Sequence, residues 1–281
     1  MGVENNNPSL WIIDSTLRER SSMNGREYSE QDKRKIARLL SLGGVDEIEA
    51  GIPALGAREC RAIRQIKVEN PNTLVTCWVK SSMASLELAR RCAVRSIHIC
   101  FSQDAVGSGV PRDLFERNLD DMDRMIKACY GSFDSVSVGI PNSFDADQTR
   151  LLRFITRAEE SGIFRIRLAD ERASAVPGEV RRFFERLKPR TGMSLEFHGH
   201  NAAGRGLENT VQAINGGADA VSLTLRGVGS NGGVTSLEET GPVLLRAFQY
   251  TSLNFYKLKE AARYVSILEN RRKPRKRIRA A

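Results

Sequence analysis

The chain has 281 residues, 41% of them hydrophobic and 27% charged, with a formal net charge of +9. That is an ordinary globular composition with enough length to bury a sizeable core in one large domain or two small ones. No apolar run reaches the roughly eighteen residues of a membrane span, and the polar start MGVENNNPS has neither the basic nor the apolar region of a secretion signal, so a soluble cytoplasmic protein is expected.

From residue 10 onward, short β-like runs alternate with amphipathic stretches. Strands are expected at Leu10 to Asp14, Glu47 to Gly51, Leu74 to Lys80, Ser96 to Phe101, Ser135 to Gly139, Phe164 to Asp170, Ser194 to His200 and Ala220 to Thr224. Helices are expected over 30–42, 57–69, 82–94, 113–130, 147–161, 177–188, 205–216 and 236–248. Eight β-then-α units in a chain of this length predict an α/β fold, a TIM-type (β/α)8 barrel, whose usual size is about 250 residues. An open doubly wound sheet is the alternative. Against it, residues 14–19 read Asp-Ser-Thr-Leu-Arg-Glu, not the glycine-rich turn of a dinucleotide fold.

The chain divides into an N-terminal extension (1–9), the barrel (10–250), a C-terminal helix (251–270) and a basic tail (271–281). Seven of the nine residues Arg271 to Arg279 are basic, and such a block self-repels and reads as a solvated tail. It has no aromatic interleaving and no recognition motif, so no specific nucleic-acid partner is expected. The five cysteines (Cys60, Cys77, Cys92, Cys100, Cys129) are irregularly spaced and odd in number, as suits reduced structural thiols.

The most informative stretch is Glu196-Phe197-His198-Gly199-His200-Asn201, which holds two of the three histidines. Side chains two apart on a strand point the same way, so both imidazoles would project together, as two adjacent ligands of a divalent metal do. A pair that merely decorates a strand end is the alternative. Barrel enzymes work at the carboxyl ends of their strands, and the residues closing these strands are rich in charge: Asp14, Arg18, Glu19, Glu49, Asp170, Glu171, His198 and His200. Two imidazoles and one carboxylate leave positions open for substrate, which suits Mg, Mn, Fe(II) or Zn. Glu19 is the carboxylate expected there.

Asp14 reads equally as a turn or cap residue, and Glu49 equally as a buried partner of an arginine. Arg18 would stabilise a developing oxyanion beside the metal, or pair with Asp170 or Glu49. The loop Gly227-Val-Gly-Ser-Asn-Gly-Gly233, after the last strand, stands where barrels hold phosphate on backbone N–H groups, so Gly227, Gly229 and Gly232 are candidates for binding a nucleotide-bearing cofactor.

Ile12-Ile13-Asp14-Ser15-Thr16-Leu17-Arg18-Glu19, then Gly44-Val45-Asp46-Glu47-Ile48-Glu49-Ala50-Gly51-Ile52-Pro53, then the His198-Gly199-His200 stretch, resemble in order the signatures of the metal-dependent Claisen-condensing (DRE-TIM metallolyase) barrel family. That family includes homocitrate, isopropylmalate and citramalate synthases, with pyruvate carboxylase domains and ketoacid aldolases as cousins. Residues 11–66 are most similar to the nitrogen-fixation type of homocitrate synthase, and the likeness runs over about 10–245.

The resemblance implies Glu19, His198 and His200 as metal ligands and Arg18 as the polarising arginine; Glu49 is expected beside Arg18 among the catalytic residues, and Asp14, Asp170, Glu171 and Asn201, at the strand ends, around the substrate. It also implies acetyl-CoA as co-substrate and a 2-oxo acid, 2-oxoglutarate first, as acceptor. The chain departs from the family pattern at Arg20-Ser21-Ser22, at Glu171 where a threonine is usual, at Ala202 for an aspartate, and at Val234 for an additional asparagine ligand. Condensing synthases also carry a further C-terminal region, so a homo-oligomer, or a hetero-oligomer whose second subunit supplies that region, is expected. A metal-dependent 2-oxo acid aldolase or lyase, and a barrel subunit without activity, are the other readings.

Overall fold

In a computed structural model, which describes residues 10–23, 28–250 and 252–271, eight parallel strands close into one barrel in sequence order. They are β1 (Trp11–Asp14), β2 (Glu47–Gly51), β3 (Leu74–Lys80), β4 (Ser96–Cys100), β5 (Ser135–Ile140), β6 (Arg165–Asp170), β7 (Ser194–Gly199) and β8 (Ala220–Leu223). Pairing of β1 with β8, Trp11 opposite Ala220, completes the ring. The open-sheet alternative is excluded.

The helices are α1 (Thr16–Ser22), α2 (Glu30–Leu42), α3 (Ala57–Glu69), α4 (Met83–Arg90), α5 (Arg112–Cys129), α6 (Gln148–Glu160), α7 (Pro177–Leu187), α8 (Gly206–Asn215), α9 (Leu237–Phe248) and α10 (Phe255–Arg271). Local chemistry sets several of their ends. Ser29 and Asp32 cap α2 reciprocally, each side chain accepting the other's backbone N–H, and Pro177 supplies the preset φ at the first turn of α7.

Expected and observed ends agree within two residues except at α10, which begins at Phe255 within the expected 251–270 segment, and at α4, which stops at Arg90 rather than 94: a tight turn follows, and Ala93 adopts φ +55°. Helix α1 is absent from the expected set. Helix α10 continues through Arg271, so the basic block begins inside it; 272–281 and 1–9 lie outside the described residues. No described helix is long and apolar enough to cross a membrane.

Strand alternation sorts two environments. The outward face of the barrel is apolar, with Ile48, Val75, Ile97, Val138, Leu168 and Leu195 buried under helix residues such as Ile36, Leu40, Phe154 and Phe184. The bore is charged. Arg165 on β6 reaches the opposite wall, donating to Glu47 Oε2 on β2 at 2.7 Å, and its Nε lies 3.1 Å from Glu196 Oε2 on β7. One layer up, Arg167 pairs with Glu196 and lies 2.9 Å from Glu49 Oε1 on β2. Ser222 also donates to Glu196, and Trp11 Nε1 donates to Glu47 at 3.0 Å. Barrels of this type are usually filled by Val, Ile and Leu; here guanidinium–carboxylate pairs span the diameter.

Removing one member of such a buried pair strands the other, at a cost of roughly 3–5 kcal/mol. Arg165→Met, which leaves both Glu47 and Glu196 short of a partner, is expected to lower unfolding stability by that amount in urea titrations, whereas an exposed pair such as Arg117–Asp113 is expected to be silent when broken.

Candidate metal centre and active site

The turn from β1 into the short helix α1 places Arg18 and Glu19 over the bore. Asp14 shapes that turn: its carboxylate accepts the N–H of Thr16 at 2.9 Å and the Thr16 hydroxyl at 3.0 Å. The same hydroxyl accepts the N–H of Leu225 at 2.8 Å and so ties the turn to the loop after β8. Glu19, 1% exposed, faces the end of β7.

Among the described residues, Glu19, His198 and His200 form the one group of three donors placed to share a cation, with one ligand atom from each lying within 4.8 Å of the others. His198 Nε2 is 3.4 Å from Glu19 Oε1, and the two imidazole centroids are 5.3 Å apart. His200 continues β7 past its last regular residue by bridging to Val234. Its Nδ1 lies 2.9 Å from the carbonyl of Ser230; a carbonyl only accepts, so Nδ1 holds the hydrogen and Nε2 is left with its lone pair.

A divalent ion fits these residues on two counts. Both ring nitrogens of His198 are buried without a hydrogen-bond partner, which is costly unless something binds there, and Glu19 Oε1 has only its ion pair with Arg18. In addition, the four buried carboxylates Glu19, Glu47, Glu49 and Glu196 face only three guanidinium groups, Arg18, Arg165 and Arg167, leaving one negative charge uncompensated.

Protonation favours ligation. Burial alone would raise the Glu19 carboxyl, but Arg18 beside it, together with His198, holds it at about 2. Burial and the nearby Arg18 and Arg167 charges push His198 down to about 3, outweighing Glu19, so its ring is neutral at neutral pH. His98, on β4, is likewise held well below its ordinary value by burial and by Arg167, Arg165 and Arg18.

Arg18 bridges two acids, with Nη1 2.5 Å from Glu19 Oε1 and Nε donating to Glu49 Oε2 at 2.9 Å. Its expected alternative partner Asp170 is elsewhere engaged, accepting N–H groups from Ser174 and Ala175. Glu49, placed among catalytic residues from the sequence, is clamped between Arg18 and Arg167, and these two cations overcome its burial to keep it ionised. It meets the mouth through Arg18 and Arg167.

Asp14, Asp170 and Asn201, expected around substrate, accept local N–H groups (from Thr16, from Ser174 with Ala175, and from Gly206), because each sits where the chain turns out of a strand; for Asp14 this is the turn role that the sequence left open. Glu171 does line the mouth, on its exposed rim.

The glycine loop forms a roof. A Cβ on Gly232 would meet the Ala202 backbone at 2.4 Å, and one on Gly229 would come to 3.4 Å from Glu19 Oε2. Gly227, at φ +63°, closes a turn whose N–H is already spent on Thr224. Beside the loop lies a cleft of about 300 Å³ lined by Arg20, Arg226, Gly227, Gly229, Ser266 and Asn270. Val234 is buried next to His200, and among the described residues no further His, Cys, Asp or Glu joins the group.

Sequence reading missed Arg165, Arg167, Glu196 and His98. The signal was present as charge at i and i+2 within otherwise apolar strands: Glu47-x-Glu49, Arg165-x-Arg167 and Glu196-x-His198.

The HMGL-like family model matches residues 9–265. The chain belongs to the HMGL-like family. Among HMGL-like relatives, 2-isopropylmalate synthase 2 of Caldanaerobacter subterraneus subsp. tengcongensis is 23% identical, over 94% of this chain and 70% of its own. Homocitrate synthase subunit alpha of Clostridium pasteurianum is 27% identical, over 79% of this chain and 83% of its own. The crystal structure of an HMG-CoA lyase from Bacillus subtilis superposes with a TM-score of 0.81 at 18% identity, covering 95% of each chain, and so shares the fold.

Burial raises Asp14 to about 7, against the pull of its Thr16 hydrogen bonds. The folded state therefore keeps this proton at pH values where the unfolded chain has lost it, and stability falls as pH rises toward 7, then levels. Between pH 5 and 7.5 the loss attributable to Asp14 is about 2 kcal/mol. Urea midpoints of Asp14→Asn measured at the two pH values are expected to lack that component, and equal pH dependence in the two proteins would refute it.

Proposed function

We propose that this chain is the barrel of a homocitrate synthase-like acyltransferase that condenses acetyl-CoA with a 2-oxo acid, 2-oxoglutarate being the acceptor favoured by the likeness over residues 11–66. In that reaction the acetyl methyl loses a proton to a base and its carbon bonds to the 2-oxo carbon, whose oxygen ends as a hydroxyl. Water then cleaves the thioester C–S bond and releases CoA as the thiol.

The observation that carries the reading is the convergence of Glu19, His198 and His200, with both buried ring nitrogens of His198 lacking a hydrogen-bond partner. These three would hold the divalent ion, Mg, Mn, Fe(II) or Zn, which supplies Lewis acidity toward the acceptor carbonyl. Arg18, fixed by Glu49, places a cation beside the carbonyl oxygen that gains charge as the carbon–carbon bond forms. Glu49 acts as a positioning residue for Arg18.

Acetyl-CoA is assigned to the 300 Å³ cleft beside the glycine loop, where Arg226 supplies positive charge for its phosphates, Arg20 being paired with Glu269, and Gly229 adjoins Glu19. A second subunit that completes the site is part of the proposal, supported by the likeness to a protein named as an alpha subunit. A cytoplasmic location is part of the same proposal.

Purified protein is expected to bind one equivalent of divalent metal, and His198→Ala or His200→Ala to weaken that binding by about 100-fold or more, since loss of mere supporting groups already costs 10–100-fold. With Mn2+, acetyl-CoA and 2-oxoglutarate, alone or with extract of the source cells, free thiol is expected to appear. No metal bound and no CoA released under either condition would overturn the reading; pyruvate release without acetyl-CoA binding would move the chain to the lyases.

A further inference from the structure

Arg167 is not accounted for by the chemistry above. It lies one layer below the histidines, 3% exposed, with its Nε bound to Glu196 and its Nη1 2.9 Å from Glu49 Oε1 but off the hydrogen-bonding direction. Its Nη2 has no acceptor among the described residues. A buried guanidinium N–H without an acceptor is the kind of group that a ligand oxygen satisfies.

Arg167 also lines a small cavity in the barrel mouth, shared with Arg18, His198, His98 and Gly139. The free volume is about 10 Å³, close to what one water-sized atom occupies. Gly139 creates it: a Cβ there would come to 2.5 Å from His98 Nε2 and 3.4 Å from the Arg167 Cβ. His98 is oriented by its Nδ1, 2.9 Å from the Ser137 hydroxyl, so that Nε2 faces this gap.

We infer that Arg167 and His98 form an anion-binding floor of the site, and that a carboxylate oxygen of the acceptor 2-oxo acid enters the gap beside Gly139 to accept from Arg167 Nη2. The inference rests on the proposed 2-oxo acid chemistry and adds a substrate-binding residue to it. Glu196 and Glu49 hold the guanidinium, so its remaining N–H group is fixed without an acceptor before any ligand arrives.

Titration calorimetry on the Mn2+-loaded full chain, with pyruvate and 2-oxoglutarate as probes and acetyl-CoA left out, tests this directly. At least one acid is expected to bind the unaltered protein. Arg167→Lys keeps the charge that Glu196 requires but withdraws Nη2, and is expected to weaken acid binding about tenfold or more while Mn2+ affinity stays within twofold. Gly139→Ala leaves every charged partner in place and fills the gap, with the same expected loss, and it carries the test if the lysine variant does not fold.

Unchanged acid affinity in folded, Mn2+-binding Gly139→Ala, or binding of neither acid to the unaltered protein, overturns the inference. Acid binding that responds to both substitutions, with no thiol released from acetyl-CoA, upholds the floor and refutes the acyl transfer instead.

Discussion

Opposite charges spanning the bore are the constraint on which the rest of this barrel depends. Arg165 and Arg167 stand on adjacent inward positions of β6 and reach Glu47 and Glu49 on β2, four strands away, while Glu196 on β7 braces both from the side. Each charge is out of water, so none is tolerable alone. Glu49 then turns its second oxygen upward to Arg18, and Arg18 turns to Glu19. The positions of the groups at the mouth are thus fixed from the far end of the barrel by a chain of ion pairs, and the sum of those charges invites a cation at the Glu19 end.

How much of this was legible in the sequence depended on whether a residue's role follows from its position or from the direction its side chain takes. Strands and helices were readable because period-two and period-3.6 patterns are intrinsic to the chain, and the pairing of His198 with His200 follows from strand geometry alone. Helix α1 was not readable: it has seven residues, no side-chain cap, and only Leu17 as an aliphatic residue. Asp14, Asp170 and Asn201 were assigned to substrate because polar residues at strand ends commonly face it. Backbone N–H groups two to five residues further along took those side chains instead, a competition that residue type does not reveal.

The departures from the family pattern at residues 20–22 have structural employment. Arg20 is buried, pairs with Glu269 of α10 at 3.3 Å and lies over the Tyr28 ring, while Tyr28 donates to the other Glu269 oxygen at 2.8 Å. Ser21 joins a buried cluster in which Lys33 Nζ donates to its hydroxyl and also pairs with Glu59. Glu59 in turn accepts from Ile52 N–H and lies where any Cβ on Gly51 would collide with it. The segment that presents Glu19 is therefore anchored to both α2 and α10, and the C-terminal helix is bound to the first turn of the barrel.

The contact between His200 and the carbonyl of Ser230 makes the tautomer of this imidazole depend on a peptide group, not on any side chain. Alanine scanning would pass over Ser230 as inert, since alanine presents the same carbonyl. A rotation of that one peptide plane would take away the acceptor that keeps the ring hydrogen on Nδ1, and with it the preference for a bare Nε2. The conformation of a glycine-rich loop is in this way converted into the electronic state of an imidazole, a form of control written in backbone torsions and invisible to comparison of residue types.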